Sequence, residues 1–216
     1  MLDESPYSIF FNDKREVTGV FFPMETIYES YIANKLKQLI SKEYSDKFSI
    51  KIQDSSHFIF KNCSFNKKQI KENIKFFNIR PDIVLRNKKN NNEVIILDTK
   101  WKVLNKLDEK FKISSEDVYQ MLAYVKTYND RSKNYTCEKA YLIYPSTSIN
   151  QNTFSTNDKF IFKTNNFELN IVFVDLSSEE NIEKSLDGIL NNLKNWLEFL
   201  VSFFFSCYNI STNYVL

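Results

Sequence analysis

Asp82, Asp98 and Lys100 are the residues whose types and spacing point most directly to chemistry. They lie in the stretch 80–102, RPDIVLRNKKNNNEVIILDTKWK, where two apolar, β-prone runs flank a polar Asn/Lys turn. That pattern predicts an antiparallel hairpin with strands over 82–86 and 93–98. With the turn centred near Asn90, Asp82 faces Asp98, Val84 faces Ile96 and Arg86 faces Val94. Alternation puts Lys100 on the side of Asp98 if the strand continues through it. Directly opposed Cβ atoms are about 4.5–5.5 Å apart, so two carboxylates there can share one divalent cation and repel each other without it. A lysine beside them can offset negative charge building on a phosphorane, or orient the attacking water. Either aspartate alone reads as a strand-end residue facing water; the Asp98-Thr99-Lys100 triplet reverses that preference.

Several elements must position this group. Pro23 suits the first turn of a helix in which Ile27, Tyr28, Tyr31, Ile32, Lys35, Leu36 and Leu39 recur at three- and four-residue steps, with Glu29 at the border of the stripe. Phe48, Ile50 and Ile52 alternate with polar residues as a half-buried strand, and Phe58 and Phe60 suggest its continuation or partner. After the hairpin, Ser114 with Asp117 in capping-box spacing predicts a helix running to about Thr127. Its core stripe is Val118, Met121, Leu122 and Val125, and Asp117, Gln120 and Tyr124 share a neighbouring face. A strand over 139–144, ended by Pro145, should lie parallel to the strand of Asp98. Strands over 159–163 and 167–174 suggest a hairpin at the sheet edge, and a long amphipathic helix starts near Asn181. The apolar tail 196–208 is too short for a membrane span, which needs about 20 apolar residues, and reads as a packed helix or, second, an association patch.

Composition removes other chemistries. The chain has two glycines, Gly19 and Gly188, so no Gly-rich loop can cradle a nucleotide phosphate and no nucleotide is expected to bind. His57, the single histidine, has no evident nucleophile or second ligand nearby and reads as an ordinary strand residue. Cys63, Cys137 and Cys207 form no CxxC pattern, so they read as reduced thiols rather than disulfides or a zinc site. The 216 residues, 43% hydrophobic, suit one core. With 29 basic and 27 acidic residues, a nucleic-acid surface must come from local clustering. Lys61, Lys67, Lys68, Lys71 and Lys75 cluster just upstream of the hairpin; they could track a phosphate backbone or form a solvated surface. The start has no basic-then-apolar leader, leaving the cytoplasm as the expected compartment.

Pro81-Asp82 followed by Asp98-Thr99-Lys100 resembles the PD-(D/E)xK nuclease motif, and the fuller wording RPDIVL, ILDTKWK and DVYQMLAY resembles the McrC family. That family supplies the nuclease subunit of a GTP-dependent restriction system specific for 5-methylcytosine. The resemblance spans roughly residues 17–175. It implies an α/β fold of the restriction-endonuclease type, a mixed sheet flanked by helices, with residues 1–22 as an N-terminal extension and 23–216 as the nuclease domain. It implies Mg²⁺, with Mn²⁺ able to substitute, held by Asp82, Asp98 and the Thr99 carbonyl. It assigns Lys100 to the developing charge, Glu29 to the acidic position of the first helix, and Gln120 and Tyr124 to a QxxxY element that supports the site and contacts substrate. Lys67, Lys68, Lys71 and Lys102 are the candidate DNA contacts.

The expected function is therefore DNA endonuclease in restriction of methylated foreign DNA, with DNA and a McrB-like GTPase as partners and no membrane. McrC proteins usually carry a substantial region ahead of the nuclease domain that engages the GTPase ring; here only residues 1–22 precede the first predicted helix, which leaves that partnership open. Two alternatives remain. One is a non-catalytic DNA-binding or assembly module on a nuclease fold, against which the intact triplet argues. The other is a RecB-like repair exonuclease, separable by its need for DNA ends.

Overall fold

The computed structural model describes residues 8–10, 16–18, 22–60, 63–65, 68–71, 76–90, 92–129, 135–146 and 152–212. For 8–10, 16–18, 63–65, 68–71, 76, 109–110 and 196–212 only the backbone is described. In chain order the elements are β1 (Ser8–Phe10), β2 (Glu16–Thr18), α1 (Met24–Glu43), β3 (Phe48–Ile52), β4 (His57–Phe60), β5 (Cys63–Phe65), β6 (Lys68–Lys71) and β7 (Phe76–Ile79). They continue with β8 (Ile83–Asn87), β9 (Glu93–Thr99), a 3₁₀ turn (Glu109–Lys112), α2 (Ser115–Tyr128), β10 (Thr136–Ser146), β11 (Phe160–Thr164), β12 (Phe167–Asp175) and α3 (Glu179–Thr212).

Six strands form one mixed sheet in the order β11-β12-β10-β9-β8-β3. β9, β10 and β12 are parallel, while β3, β8 and β11 run antiparallel to their neighbours. The β8–β9 register pairs Ile83 with Leu97, Val84 with Ile96 and Arg86 with Val94, as the hairpin reading expects. Both faces are apolar because both are covered. Ile83, Leu85, Ile95, Leu97, Tyr141 and Ile143 pack against α1 and α3; Val84, Val94, Ile96, Ala140, Leu142 and Tyr144 pack against α2. The alternation of these two sets along each strand is the period-2 pattern of side chains made visible.

Three local expectations change. In α1 the buried stripe is Tyr28, Ile32, Ala33, Leu36 and Ile40, whereas Ile27 and Tyr31 are exposed. Lys35 lies outside that stripe and ion-pairs with Glu179 and Glu183 of α3. In α2 Leu122 is exposed, and Tyr128, one turn beyond the expected end of the stripe, is fully buried. Finally, β10 does not stop at Pro145 but runs to Ser146, pairing with β12. The Ile143 carbonyl accepts from Lys100 N–H, so residue 145 also faces the β9 edge, and β9 has already ended at Thr99. The missing proline N–H therefore interrupts no ladder bond.

Between β3 and β8 the chain makes an antiparallel arm. β4 pairs with β7 and, further out, β5 pairs with β6. Lys68 and Lys71 lie on β6, and Lys67 lies outside the described residues. Among the described residues no helix is long and apolar enough to cross a membrane.

Candidate functional site

Even-numbered residues of β8 and β9 face α2, and the same parity carried past the strand ends puts Asp82, Asp98 and Lys100 on that side. All three lie at one end of the sheet, where β9 finishes and α2 begins. Asp82 precedes β8 by one residue, and its Oδ2 accepts hydrogen bonds from Thr99 N–H at 2.7 Å and Thr99 Oγ1 at 2.8 Å. These bonds lock the start of β8 to the end of β9. Lys100 Nζ stands 2.5 Å from Asp98 Oδ2 and donates to Gln120 Oε1 at 2.7 Å. Gln120 Nε2 in turn donates to Tyr124 Oη at 2.7 Å, whose hydroxyl donates to the Arg80 carbonyl at 3.4 Å. The four-residue spacing of Gln120 and Tyr124 on α2 thus becomes a chain of hydrogen bonds that orients the lysine.

Glu29 comes from α1 on the opposite side of the sheet. It is half-buried, and its Oε1 accepts from Gln53 Nε2 at 2.7 Å. Gln53 N–H donates to the Asp82 carbonyl at 2.8 Å, and its backbone takes φ +50°, a left-handed conformation uncommon for a side chain of this kind. Gln53 joins Glu29 to the backbone of Asp82, and no sequence spacing announces it.

Asp117 was expected to close a capping box. Ser114 does cap α2, accepting from Glu116 N–H at 3.1 Å, but the Asp117 carboxylate turns inward instead. It accepts from Tyr144 Oη at 2.8 Å and pairs with Lys102 Nζ at 2.5 Å. Lys102 is therefore engaged at the cleft wall rather than displayed on an outer surface. Arg80 and Trp101 also line the cleft, and Trp101 meets Tyr28 of α1 at 5.4 Å between ring centroids.

The cleft, about 380 Å³, is lined by the carboxylates of Glu25, Glu29, Asp82, Asp98 and Asp117 against the cations of Arg80, Lys100 and Lys102. This acid excess shows in the protonation. Burial, then the Asp98 charge, pushes Asp82 up to about 7 despite its hydrogen bonds from Thr99. Burial also raises Asp98, against the opposing pull of Lys100. Lys100 loses solvation, but the attraction of Asp98 outweighs that loss and raises it, so it is an ammonium at neutral pH.

The donors suit a hard divalent cation. Among the described residues no three His, Cys, Asp or Glu side chains gather as a metal cage. Mg²⁺ does not need one, because it keeps several waters and uses one or two carboxylates plus substrate phosphate oxygens. The Thr99 carbonyl is available as well. Two steps beyond the Ile83–Leu97 pair, the register sets Pro81 opposite Thr99. Proline has no N–H to give that carbonyl, so its lone pairs remain for another acceptor-seeking group.

A family model described as McrBC 5-methylcytosine restriction system component matches residues 2–145. Among solved structures, the chain is similar to one in the refined half-complex from the tetradecameric assembly of Thermococcus gammatolerans McrB AAA+ hexamers with bound McrC. The identity is 18%, the TM-score 0.49, and the match covers 80% of this chain and 34% of that one. The chain thus spans about a third of the length of that solved chain. A search of curated proteins gave no match.

Proposed function

Since the chain belongs to the family of McrBC 5-methylcytosine restriction system components, we propose that it is a Mg²⁺-dependent DNA endonuclease that hydrolyses phosphodiester bonds in restriction of methylated foreign DNA, in concert with a McrB-like GTPase. The observation that carries this reading is the pairing of half-buried Asp82, whose carboxylate form the Asp98 charge destabilises, with buried Asp98 and with Lys100 beside it. A purely structural role would be better served by an amide or an apolar side chain at either position.

Asp82, Asp98 and the Thr99 carbonyl would hold Mg²⁺ or Mn²⁺, which supplies Lewis-acid charge for the scissile phosphate and lowers the pKa of a water. The chain's own residues do the rest. Thr99 fixes one Asp82 oxygen through two hydrogen bonds and leaves the other oxygen to the cleft. Gln120, itself held by Tyr124, draws Lys100 toward the helix side of the cleft. Once Asp98 is engaged elsewhere, Lys100 remains tethered by Gln120 with its proton available to the phosphate oxygens. Glu29, positioned by Gln53, lies within range to raise both aspartates and can accept a proton from a water in the cleft. The acid excess also accounts for a metal requirement: without added cation, the cleft would repel a phosphodiester.

The test is calorimetric titration of Mn²⁺ or Mg²⁺ into wild type and Asp98→Ala, alone and with duplex DNA, followed by cleavage of circular and linear methylated plasmid with and without a McrB-like GTPase and GTP. The expected outcome is one divalent site, absent in the variant, and Mg²⁺-dependent cutting of the circle. Folded wild-type protein that takes up no metal even with DNA present would sink the reading in favour of a non-catalytic module.

A further inference from the structure

The arm built from β4, β5, β6 and β7 is anchored on the site by both its roots. On the incoming side, Gln53 contacts Glu29 and Asp82 just before β4. On the outgoing side, β7 ends at Ile79, immediately before Arg80 of the cleft. The root is also fastened to the helix that carries Gln120 and Tyr124. Tyr128 of α2 donates to Asp54 at 2.8 Å, and His57, the first residue of β4, stacks on Tyr128 at 4.2 Å between centroids. These contacts tie the root of the arm to α2.

Two features of the arm have no role in packing the core. Phe60 and Phe77, on its opposite strands, are 56% and 69% exposed and meet edge to face with centroids 5.9 Å apart. Phe77 takes φ +55°, a conformation that costs free energy for an aromatic residue. The second feature is charge. Residues 57–80 hold six basic side chains, Lys61, Lys67, Lys68, Lys71, Lys75 and Arg80, against the single acid Glu72, in a chain whose totals are 29 and 27. Basic side chains interleaved with exposed aromatics match a polyanion that also offers flat apolar faces, which is nucleic acid.

Reach supports the same partner. Phe77 is three residues from Arg80, so their Cα atoms are at most about 11 Å apart, which is about three base steps along a strand. We propose that this arm is a second DNA contact, in which Phe60 and Phe77 together wedge against and unstack a base step beside the cleft while Arg80, three residues on, meets a flanking phosphate. The inference rests on the DNA-cleaving reading above and adds to it a contact that distorts the duplex near the scissile phosphate.

The experiment uses the full chain with Ca²⁺ in place of Mg²⁺ and a duplex carrying 2-aminopurine at several positions, read by base fluorescence and by anisotropy across a salt series. Wild type should raise the 2-aminopurine signal. Phe60→Ala/Phe77→Ala should lose that signal and bind roughly 10-fold or more weakly at every salt concentration, with the slope against salt unchanged. Phe77→Tyr should retain both. Both phenylalanines are exposed, so circular dichroism should match wild type and Tm should fall by no more than the loss of their ring contacts. Equal binding and equal fluorescence in the double variant would overturn the wedge, as would tight wild-type binding with no fluorescence change; in both cases the nuclease reading stands. Wild type that fails to bind any duplex would overturn the nuclease reading and the wedge with it.

Discussion

Asp54, fully buried, and Asp82, half-buried, are carboxylates beside the same sheet edge, and they are held in opposite ways. Asp54 accepts from Ser56 N–H at 3.0 Å, Ser56 Oγ at 2.5 Å and Tyr128 Oη at 2.8 Å, and pairs with Lys51 at 2.7 Å. Burial pushes it up, but these partners outweigh burial and hold it well below the usual carboxylate range. Asp82 has two partners, both on one oxygen and both from Thr99, and it faces a second carboxylate; it is pushed up to about 7. Burial alone therefore does not set a carboxylate's state. The sign of its neighbours does, and the cleft is the place where the fold leaves negative charge uncompensated. Asp54 secures the root of the arm to α2, whereas Asp82 is left beside a second carboxylate, and in the proposed reading a cation would offset that charge.

The contrast can be broken most sharply at Asp82. Asp82→Asn should lower Mg²⁺-dependent plasmid cleavage by roughly a thousandfold or more, while raising the Tm of the metal-free protein, because the amide keeps an acceptor for Thr99 and removes the repulsion. A variant that is both inactive and less stable would contradict the account. Asp54→Ala should act in reverse, lowering stability by about 2 kcal/mol in urea titration by leaving the buried Tyr128 hydroxyl without its acceptor.

The pH dependence sharpens the same comparison. Asp82 holds its proton in the folded protein up to about pH 7, but in the unfolded chain it releases it near the ordinary value of about 4. Between these values the unfolded state binds fewer protons, so the Asp82 contribution makes stability fall as pH rises. Asp54 has the opposite sign: its stabilisation is full above the unfolded value and is lost as pH falls through and below it. Unfolding free energies of wild type minus Asp82→Asn, measured from pH 4 to pH 8, should become steadily less favourable to wild type, and millimolar Mg²⁺ should flatten the trend. The smallest effect is expected for Tyr128→Phe, which removes one bond to Asp54 and should cost about 1 kcal/mol, with cleavage chemistry at bound substrate unchanged.

Much of the site was legible before any coordinates. The hairpin register followed from alternation and one turn, and it brought Asp82, Asp98 and Lys100 together as the residue types suggested. Gln120 and Tyr124 on one face of α2 followed from helical spacing. Less was visible for Asp117. Its distance from Ser114 matched a local cap, yet Lys102 and Tyr144, remote in sequence, offered a buried carboxylate stronger partners than a backbone N–H at the helix start. Arg80 and Trp101 were in view within the motif stretch, but their place in the cleft was not, and Gln53 gave no signal at all. The lysines at 67, 68 and 71 were read from charge alone; the structure adds that two of them lie on a strand of the arm.

The sequence by itself determined the strands and helices of the core, the β8–β9 register and the proline that denies Thr99 a ladder donor, because these depend on covalent spacing and on the geometry of a few consecutive residues. The tertiary structure alone decided that Glu29 reaches the carboxylates from the far face of the sheet, that Lys102 is held by Asp117, and that Asp82 and Asp54 titrate in opposite directions. Burial and electrostatic potential are sums over groups far apart in the chain, and no local pattern encodes such a sum.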